Sequence, residues 1–407
     1  MTAADSLRHD VGQILWIGFD GTTLPAEVAR RFRDGNAGAA VLFARNLATV
    51  QEPMSTGALP GDAGGAPGLV RQAMAGEVLG DRIPAATVSR DVTDIEALVE
   101  LCAAIHATSG SDLPPALIAI DQEGGRVQRV RAPATVWPPM LQLETVRTGD
   151  SAALAEAVGR AMGEELASLG INIDFAPVLD VHTNPGNPVI GDRAFATSPD
   201  AAADRALAFA RGLAAAGVLG CGKHFPGHGD TSIDSHLALP RLEHDLDRLR
   251  AVELVPFSRA AATDIPMIMT AHVVFDVLDP SVPATLSERA ITDLLKTELG
   301  YRGVVVSDDL DMKAISDNFG VGDAAVRAVM AGCDVLLLCR DPHNQREAQD
   351  ALLRAGTDRP DVRRRIAAAA TAVRDMKRRH HLAGGNIARA REVLARSEHR
   401  ALADRLR

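Results

Sequence analysis

Three observations predict an α/β chain folded as a single (β/α)8 TIM-type barrel with a helical C-terminal tail. They are eight short aliphatic runs, alanine-rich helical stretches between them, and polar residues that end nearly every run. The runs are QILWIGF (13–19), AAVLF (39–43), ALIAID (116–121), NIDFAPV (172–178), LGCGKH (219–224), PMIMTAH (266–272), GVVVSD (303–308) and DVLLLC (334–339). Each is short, aliphatic or β-branched and bounded by Gly, Pro or Asp, which reads as a strand. The intervening stretches, among them AALAEAVGRAMGEELASLG, ADRALAFARGLAAAG and DAAVRAVMAGC, carry apolar residues with helical period. An apolar strand needs cover on both faces, so the alternation favours a parallel sheet wrapped by helices. Eight such units close a barrel.

The barrel is expected over residues 1–345, with 346–407 a helical tail packed on it. One segment breaks the rhythm. Residues 48–115 include STGALPGDAGGAPG, too rich in Gly and Pro for strand or helix, and read as an insertion or surface excursion followed by helical turns. No tandem repeat and no second set of strands is evident.

At 407 residues, 46% hydrophobic and 24% charged, the chain has the composition of an ordinary globular protein, which excludes disordered and fibrous classes. Four cysteines, Cys102, Cys221, Cys333 and Cys339, form no CxxC pair and sit in apolar runs, as small buried hydrophobes of a reducing compartment do. The N-terminus carries acids before a brief apolar run, too short for a signal peptide or membrane span, so a cytoplasmic location with no membrane partner is expected. A formal charge of −10 argues against nucleic acid as a partner. From Arg354 onward the sign reverses, with 15 Lys and Arg against six Asp and Glu. Alanine-rich and Arg-spaced, that stretch reads as solvated amphipathic helices.

In a parallel barrel the strand ends feed loops on one face, so chemistry collects where apolar runs give way to polar residues. Here ALIAI runs into DQEGGRVQR, NIDFAPVLD delivers Asp174 and Asp180, and LGCG runs into KHFPGHGDTSIDSH. PMIMT ends at His272, and GVVV ends in Ser307, Asp308, Asp309 and Asp311. A lone Asp after a strand more often caps a helix, and Asp180, Asp309 and Asp311 stay under that reading. The glycines of EGG (123–125) fit neither a dinucleotide nor a P-loop pattern. The run from 223 to 240 is denser, with a Lys, three His and two Asp within fourteen residues. In a first reading His224, His228, Asp230, Asp234 and His236 are metal ligands, but zinc on an HxxxH pair needs both rings on one helix face, and Pro226, Gly227 and Gly229 make a helix improbable there. In the second reading, Asp234 and His236 lie on the same side of an extended segment. The carboxylate then orients the ring and tunes it as a proton donor and acceptor near neutral pH, while the nearby glycines let the loop move.

These residues resemble glycoside hydrolase family 3, in particular the bacterial β-N-acetylglucosaminidases (β-hexosaminidases) of peptidoglycan recycling. The resemblance rests on KHFPGHGDTSIDSHLALP (223–240), IDQEGGRVQRV (120–130), NIDFAPVLDV (172–181), NPVIGDRAFA (187–196) and GVVVSDDLDM (303–312), with VGQILWIGFDGTTLP and AGCDVLLLC in support. It implies a barrel that removes terminal β-linked N-acetylglucosamine with retention of configuration. Asp308 is then the nucleophile, His236 paired with Asp234 the general acid/base on a mobile loop, and Asp121, Arg129, Arg193, Lys223 and His224 hold the sugar hydroxyls. Larger family members supply the acid/base from a second domain, which this chain does not show.

The chemistry asks for the same parts: a carboxylate beneath the anomeric carbon and a proton donor beside the leaving oxygen. Neither step calls for a cofactor or metal, and none is expected. The partner is a small carbohydrate, or a muropeptide fragment if the cytoplasmic location holds. A β-glucosidase or β-xylosidase, a glycoside phosphorylase in which His236 spares an incoming phosphate the repulsion of a carboxylate, and a sugar-sensing protein with no turnover are the competing readings. Oligomeric state is not legible.

Overall fold

The computed structural model describes residues 3–51, 91–108, 115–146, 150–234, 239–380, 384–394 and 396–407. Its centre is a closed barrel of eight parallel strands in chain order: β1 (Leu15–Ile17), β2 (Ala39–Leu42), β3 (Leu117–Ile120), β4 (Ile173–Asp174), β5 (Leu219–Phe225), β6 (Met267–Thr270), β7 (Val304–Asp309) and β8 (Val335–Leu338). β8 returns to β1 with Leu15 opposite Leu336 and Ile17 opposite Leu338. All eight expected strands are present. The first starts later than expected, because residues through Ile14 continue the helix Ala3–Ile14. The fourth is shorter; Pro177 interrupts it, and beyond Asp174 only Val178 bridges to Lys223 on β5.

A helix follows every strand: Ala26–Arg33, Ile95–His106, Ser151–Leu169, Pro199–Ala215, Leu254–Ala261, the π-wound Arg289–Glu298, Val321–Ala331 and Pro342–Asp358. Local chemistry sets their ends. Asp94 and Asp150 cap the second and third by accepting the N–H groups of Ala97 and Ala152, and Gly170 ends the third at φ 91. The eighth helix spans the boundary expected at 345/346. Within the expected excursion of 48–115, Thr49–Gln51 and Asp91–Thr93 pair antiparallel, while residues 52–90 lie outside the described residues.

Period-2 alternation divides each strand between two cores. Trp16, Val41, Leu117, Ala119, Leu219, Cys221, Met267, Met269, Val304, Val306, Val335 and Leu337 fill the barrel, while Leu15, Leu42, Ile118, Ile268, Val305 and Leu336 meet the helices outside. The helix Pro360–Arg379 closes the end at which the strands start. Its Val373 and Met376 join the interior core, and the Lys377 Nζ donates to Gln13 Oε1 (3.0 Å) and the Gly38 carbonyl (2.8 Å), just ahead of β1 and β2. The tail therefore differs from solvated helices at this point. Ile387–Leu394 and Ser397–Arg405 lie against Ser151–Leu169, where buried His399 bonds Glu165 at 3.0 Å. Among the described residues no helix is long and apolar enough to cross a membrane.

Candidate active site

Three alternate strands continue from apolar to charged residues at the C-terminal end of the barrel. In β3 the series runs Leu117, Ala119, Asp121, and in β5 it runs Leu219, Cys221, Lys223; in β7 Val304 and Val306 point inward, and Asp308 follows where the register against β8 shifts by one residue. Alternate strands of such a barrel contribute to one layer, which sets Asp121 and Lys223 above the apolar plug. The Lys223 Nζ donates to Asp121 Oδ1 at 2.8 Å, which joins these two directly. Burial raises the Cys221 thiol, Lys223 pulls it back, and Asp121, Asp174 and Asp308 push it further up.

Lys223 also contacts Glu123 Oε1 at 2.5 Å, and Arg193 grips Glu123 with two bonds, Nε to Oε2 at 2.7 Å and a terminal nitrogen to Oε1 at 2.8 Å. Arg129 completes the cluster with a 3.3 Å bond to Asp121 Oδ2 and a guanidinium 5.8 Å from the centre of the Phe43 ring. Burial opposes ionisation of both acids, but the neighbouring cations outweigh it. Lys223 and Arg129 hold the Asp121 carboxyl well below its usual range, and Arg193 and Lys223 hold Glu123 at about 2. The same acids overcome the effect of burial on Lys223 and raise its ammonium. Asp121, Glu123 and Lys223 are therefore charged at neutral pH. Asp174 behaves oppositely. It is fully buried; among the described residues Oδ1 accepts the Gln122 N–H (2.9 Å) and Oδ2 has no hydrogen-bond partner, and burial raises its carboxyl well above the ordinary range.

The local sequence explains why these groups meet. Gln122 accepts the N–H groups of Arg129 and Val130 on Oε1, folding 122–130 back as a hairpin that brings Arg129 beside Asp121. Its turn needs Gly125, which sits at φ 56 where a Cβ would lie 2.8 Å from Pro139. The EGG run is thus a hairpin turn that delivers Glu123. Arg193 is placed by the 187–193 loop, in which Asn187 accepts the N–H groups of Val189 and Ile190 and donates to the His228 carbonyl.

His224 follows Lys223 across a cis peptide, and its Nδ1 bonds Asp180 Oδ2 at 2.7 Å. Asp180 also accepts the N–H groups of His224 and His228. Despite complete burial, Asp180 is held below its usual range by His224 and His228, so it orients the His224 ring as an ionised acceptor. Asp180 therefore caps no helix, contrary to expectation. Burial and the neighbouring His224 lower His228 to about 4, which leaves it neutral, bonded through Nδ1 to Thr231. Gly229 is buried, and a Cβ there would lie 1.8 Å from the Val181 carbonyl oxygen, so this glycine serves close packing. Asp234 is buried at the end of the anchored segment, and His236 lies outside the described residues. His272, at the end of β6, bridges Thr285 and the Asp309 carbonyl. Among the described residues no three His, Cys, Asp or Glu side chains gather to hold a metal ion.

The structure thus brings Asp121, Arg129, Arg193 and Lys223 together, with His224 next in chain to Lys223 and Asp308 at the same, C-terminal end of the barrel strands. Three neighbours went unassigned in the sequence: Glu123, Asp180 and Asp174. Glu123 had a signal, an acid two residues beyond a strand-end Asp and followed by two glycines. The link from Asp180 to His224 spans 44 residues and needs the fold.

The profile of the glycosyl hydrolase family 3 N-terminal domain matches residues 69–372. The chain is 45% identical over 237 residues to β-hexosaminidase A of Pseudoalteromonas piscicida, covering 55% of this chain but only 40% of that longer protein. It is 44% identical over 269 residues to a β-hexosaminidase of Alkalilimnicola ehrlichii, covering 65% of this chain and 75% of the relative. A family 3 β-N-acetylglucosaminidase from a Paenibacillus species superposes with a TM-score of 0.79 at 34% identity, covering 100% of this chain and 68% of the other. NagZ from Neisseria gonorrhoeae, solved with N-trifluoroacetyl-D-glucosamine, gives 0.71 at 30% identity and covers 97% of both chains.

Proposed function

Because the chain belongs to glycosyl hydrolase family 3, we propose that it is a β-N-acetylhexosaminidase that removes terminal β-linked N-acetylglucosamine with retention of configuration. What supports this reading is the Lys223–Asp121 ion pair at the ends of β5 and β3, on the barrel face where Asp308 ends β7. The pair is suited to bind sugar hydroxyls and Asp308 to attack.

Asp308 attacks the anomeric carbon while the bond to the leaving oxygen breaks, and His236, oriented by Asp234, gives that oxygen its proton. A glycosyl ester on Asp308 results. His236 then takes a proton from water, whose oxygen attacks the same carbon, releases the Asp308 carboxylate and restores the β configuration. The binding groups keep capacity for substrate. Lys223 has three N–H donors, of which two go to Asp121 and Glu123, and each Asp121 oxygen accepts one bond and has a second lone pair for a sugar hydroxyl. His224, fixed through Nδ1 by Asp180, presents Nε2 as a further polar contact. The names of the relatives favour an N-acetylhexosamine over glucose or xylose, and a cytoplasmic enzyme of this kind would act on recycled muropeptide fragments.

Rates on nitrophenyl β-N-acetylglucosaminide, β-glucoside and β-xyloside test the reading. The first is expected to exceed the others at least about tenfold, to survive exhaustive chelation, and to vanish in Asp308→Asn and His236→Ala. Equal rates on all three sugars contradict the substrate assignment. Sugar 1-phosphate formed in phosphate buffer replaces hydrolysis with phosphorolysis.

A further inference from the structure

The end of β7 is irregular in a way that bears on Asp308. Val306 lies opposite Val335 on β8, yet Asp309 lies opposite Leu337, so β7 carries one residue more than its neighbour over this stretch. Such a bulge re-aims the side chains around it. Here it is held from both sides of Asp308. The Ser307 hydroxyl accepts the Leu337 N–H at 3.0 Å, and Asp309 Oδ1 accepts two N–H groups, from Cys339 and from Asp311, each at 3.1 Å. The Asp309 carbonyl is fixed as well, receiving the Met312 N–H at 3.0 Å and facing His272 Nε2 at 3.0 Å. With its carboxyl and carbonyl tied down, the Asp309 N–H points at Asp308 Oδ1, 2.8 Å away. Asp309 serves no helix cap, and the expectation that Asp311 caps a helix is also replaced, since Asp311 accepts the N–H groups of Arg340 and Asp341 and the Asn344 side chain.

We propose that Asp309 is a positioning residue. Its Oδ1, shared by the N–H groups of Asp311 and Cys339, locks the bulge so that its own N–H holds the Asp308 carboxylate in the attacking orientation. This rests on the reading of Asp308 as nucleophile. The requirement is for an oxygen acceptor, not a negative charge. Burial, with Asp311 nearby, raises the Asp309 carboxyl to about 7, which favours its neutral form while the bonds to Oδ1 remain available. Misplacing a reacting group by about 1 Å costs on the order of a hundredfold in rate.

Asp309→Asn keeps an oxygen that both N–H groups can share, and Asp309→Ala removes it. In the full-length enzyme on nitrophenyl β-N-acetylglucosaminide, Asp309→Ala is expected to lower kcat by about a hundredfold with KM within about threefold. Asp309→Asn is expected to recover kcat to within about tenfold of wild type. If the alanine variant does not melt cooperatively, the asparagine variant decides alone. Wild-type kcat in a folded Asp309→Ala overturns the proposal, as does an inactive Asp309→Asn, which makes the carboxylate itself essential. Asp308→Asn, measured alongside, separates the two claims. If it keeps activity, the nucleophile reading fails, whatever Asp309 does.

Discussion

Replacing Glu123 with Gln perturbs the charge cluster at a buried acid. The Glu123 side chain is 3% exposed and receives Lys223 and both forks of Arg193. Glutamine keeps the shape but turns an N–H2 group toward a donor and leaves three cations facing Asp121 alone. Held at about 2 in the folded chain, against 4.5 for an exposed glutamate, the carboxyl contributes roughly 3 kcal/mol at pH 7. The usual cost of removing one partner of a buried pair, about 3–5 kcal/mol, gives the same magnitude. The sign follows from proton uptake. The folded pKa is depressed, so the contribution is complete above pH 4.5, where the unfolded glutamate titrates, and is lost as pH falls toward 2. Guanidinium denaturation of wild type and Glu123→Gln should therefore differ by about 3 kcal/mol at pH 7, with the gap starting to close near pH 4.5. A gap under about 1 kcal/mol at pH 7, or one that does not change with pH, refutes the reasoning.

Asp174 should respond in the opposite direction. Its folded pKa is raised, so its stabilising effect exists below about pH 3.8 and is lost as pH rises; Asp174→Asn, permanently neutral, should be at least as stable as wild type at pH 7 by denaturation, and a loss above about 2 kcal/mol would show that Asp174 is ionised and paired. Burial and the nearby Arg374 lower Lys377 to about 7. The unfolded chain therefore binds the extra proton between about pH 7 and 10.5, and stability should rise with pH across that window by up to about 1.4 kcal/mol per unit, a slope that Lys377→Met should flatten. An unchanged slope in the variant would mean that Lys377 is charged throughout. Asp180→Asn should raise KM by about tenfold with kcat less affected, because it weakens the orientation of His224 and leaves the cluster on β3 and β5 in place.

The barrel was legible because its signal is periodic and local. In β3 and β5 the same alternation that fills the interior with Ala119 and Cys221 carries Asp121 and Lys223 to the rim, where they meet. What was not legible depended on contacts between distant segments. Asp180 looked like a cap because its partners, His224 and His228, reach it only when β5 lies beside the 175–181 segment. Asp309 looked equally ordinary, since a bulge is a relation between two strands and no single strand encodes it. The helix Pro360–Arg379 read as solvated because nine of its residues are charged; Val373 and Met376, its contribution to the barrel floor, are two residues on one face.

The account turns on a covalent bond between sugar and protein. Incubation with a 2-deoxy-2-fluoro glycoside or a related slow substrate, followed by proteolysis and mass mapping, reads that bond directly. A glycosyl label on Asp308, lost in Asp308→Asn, is the expected result. A label on any other residue, or complete turnover of single-turnover substrate with inverted anomeric configuration, contradicts it.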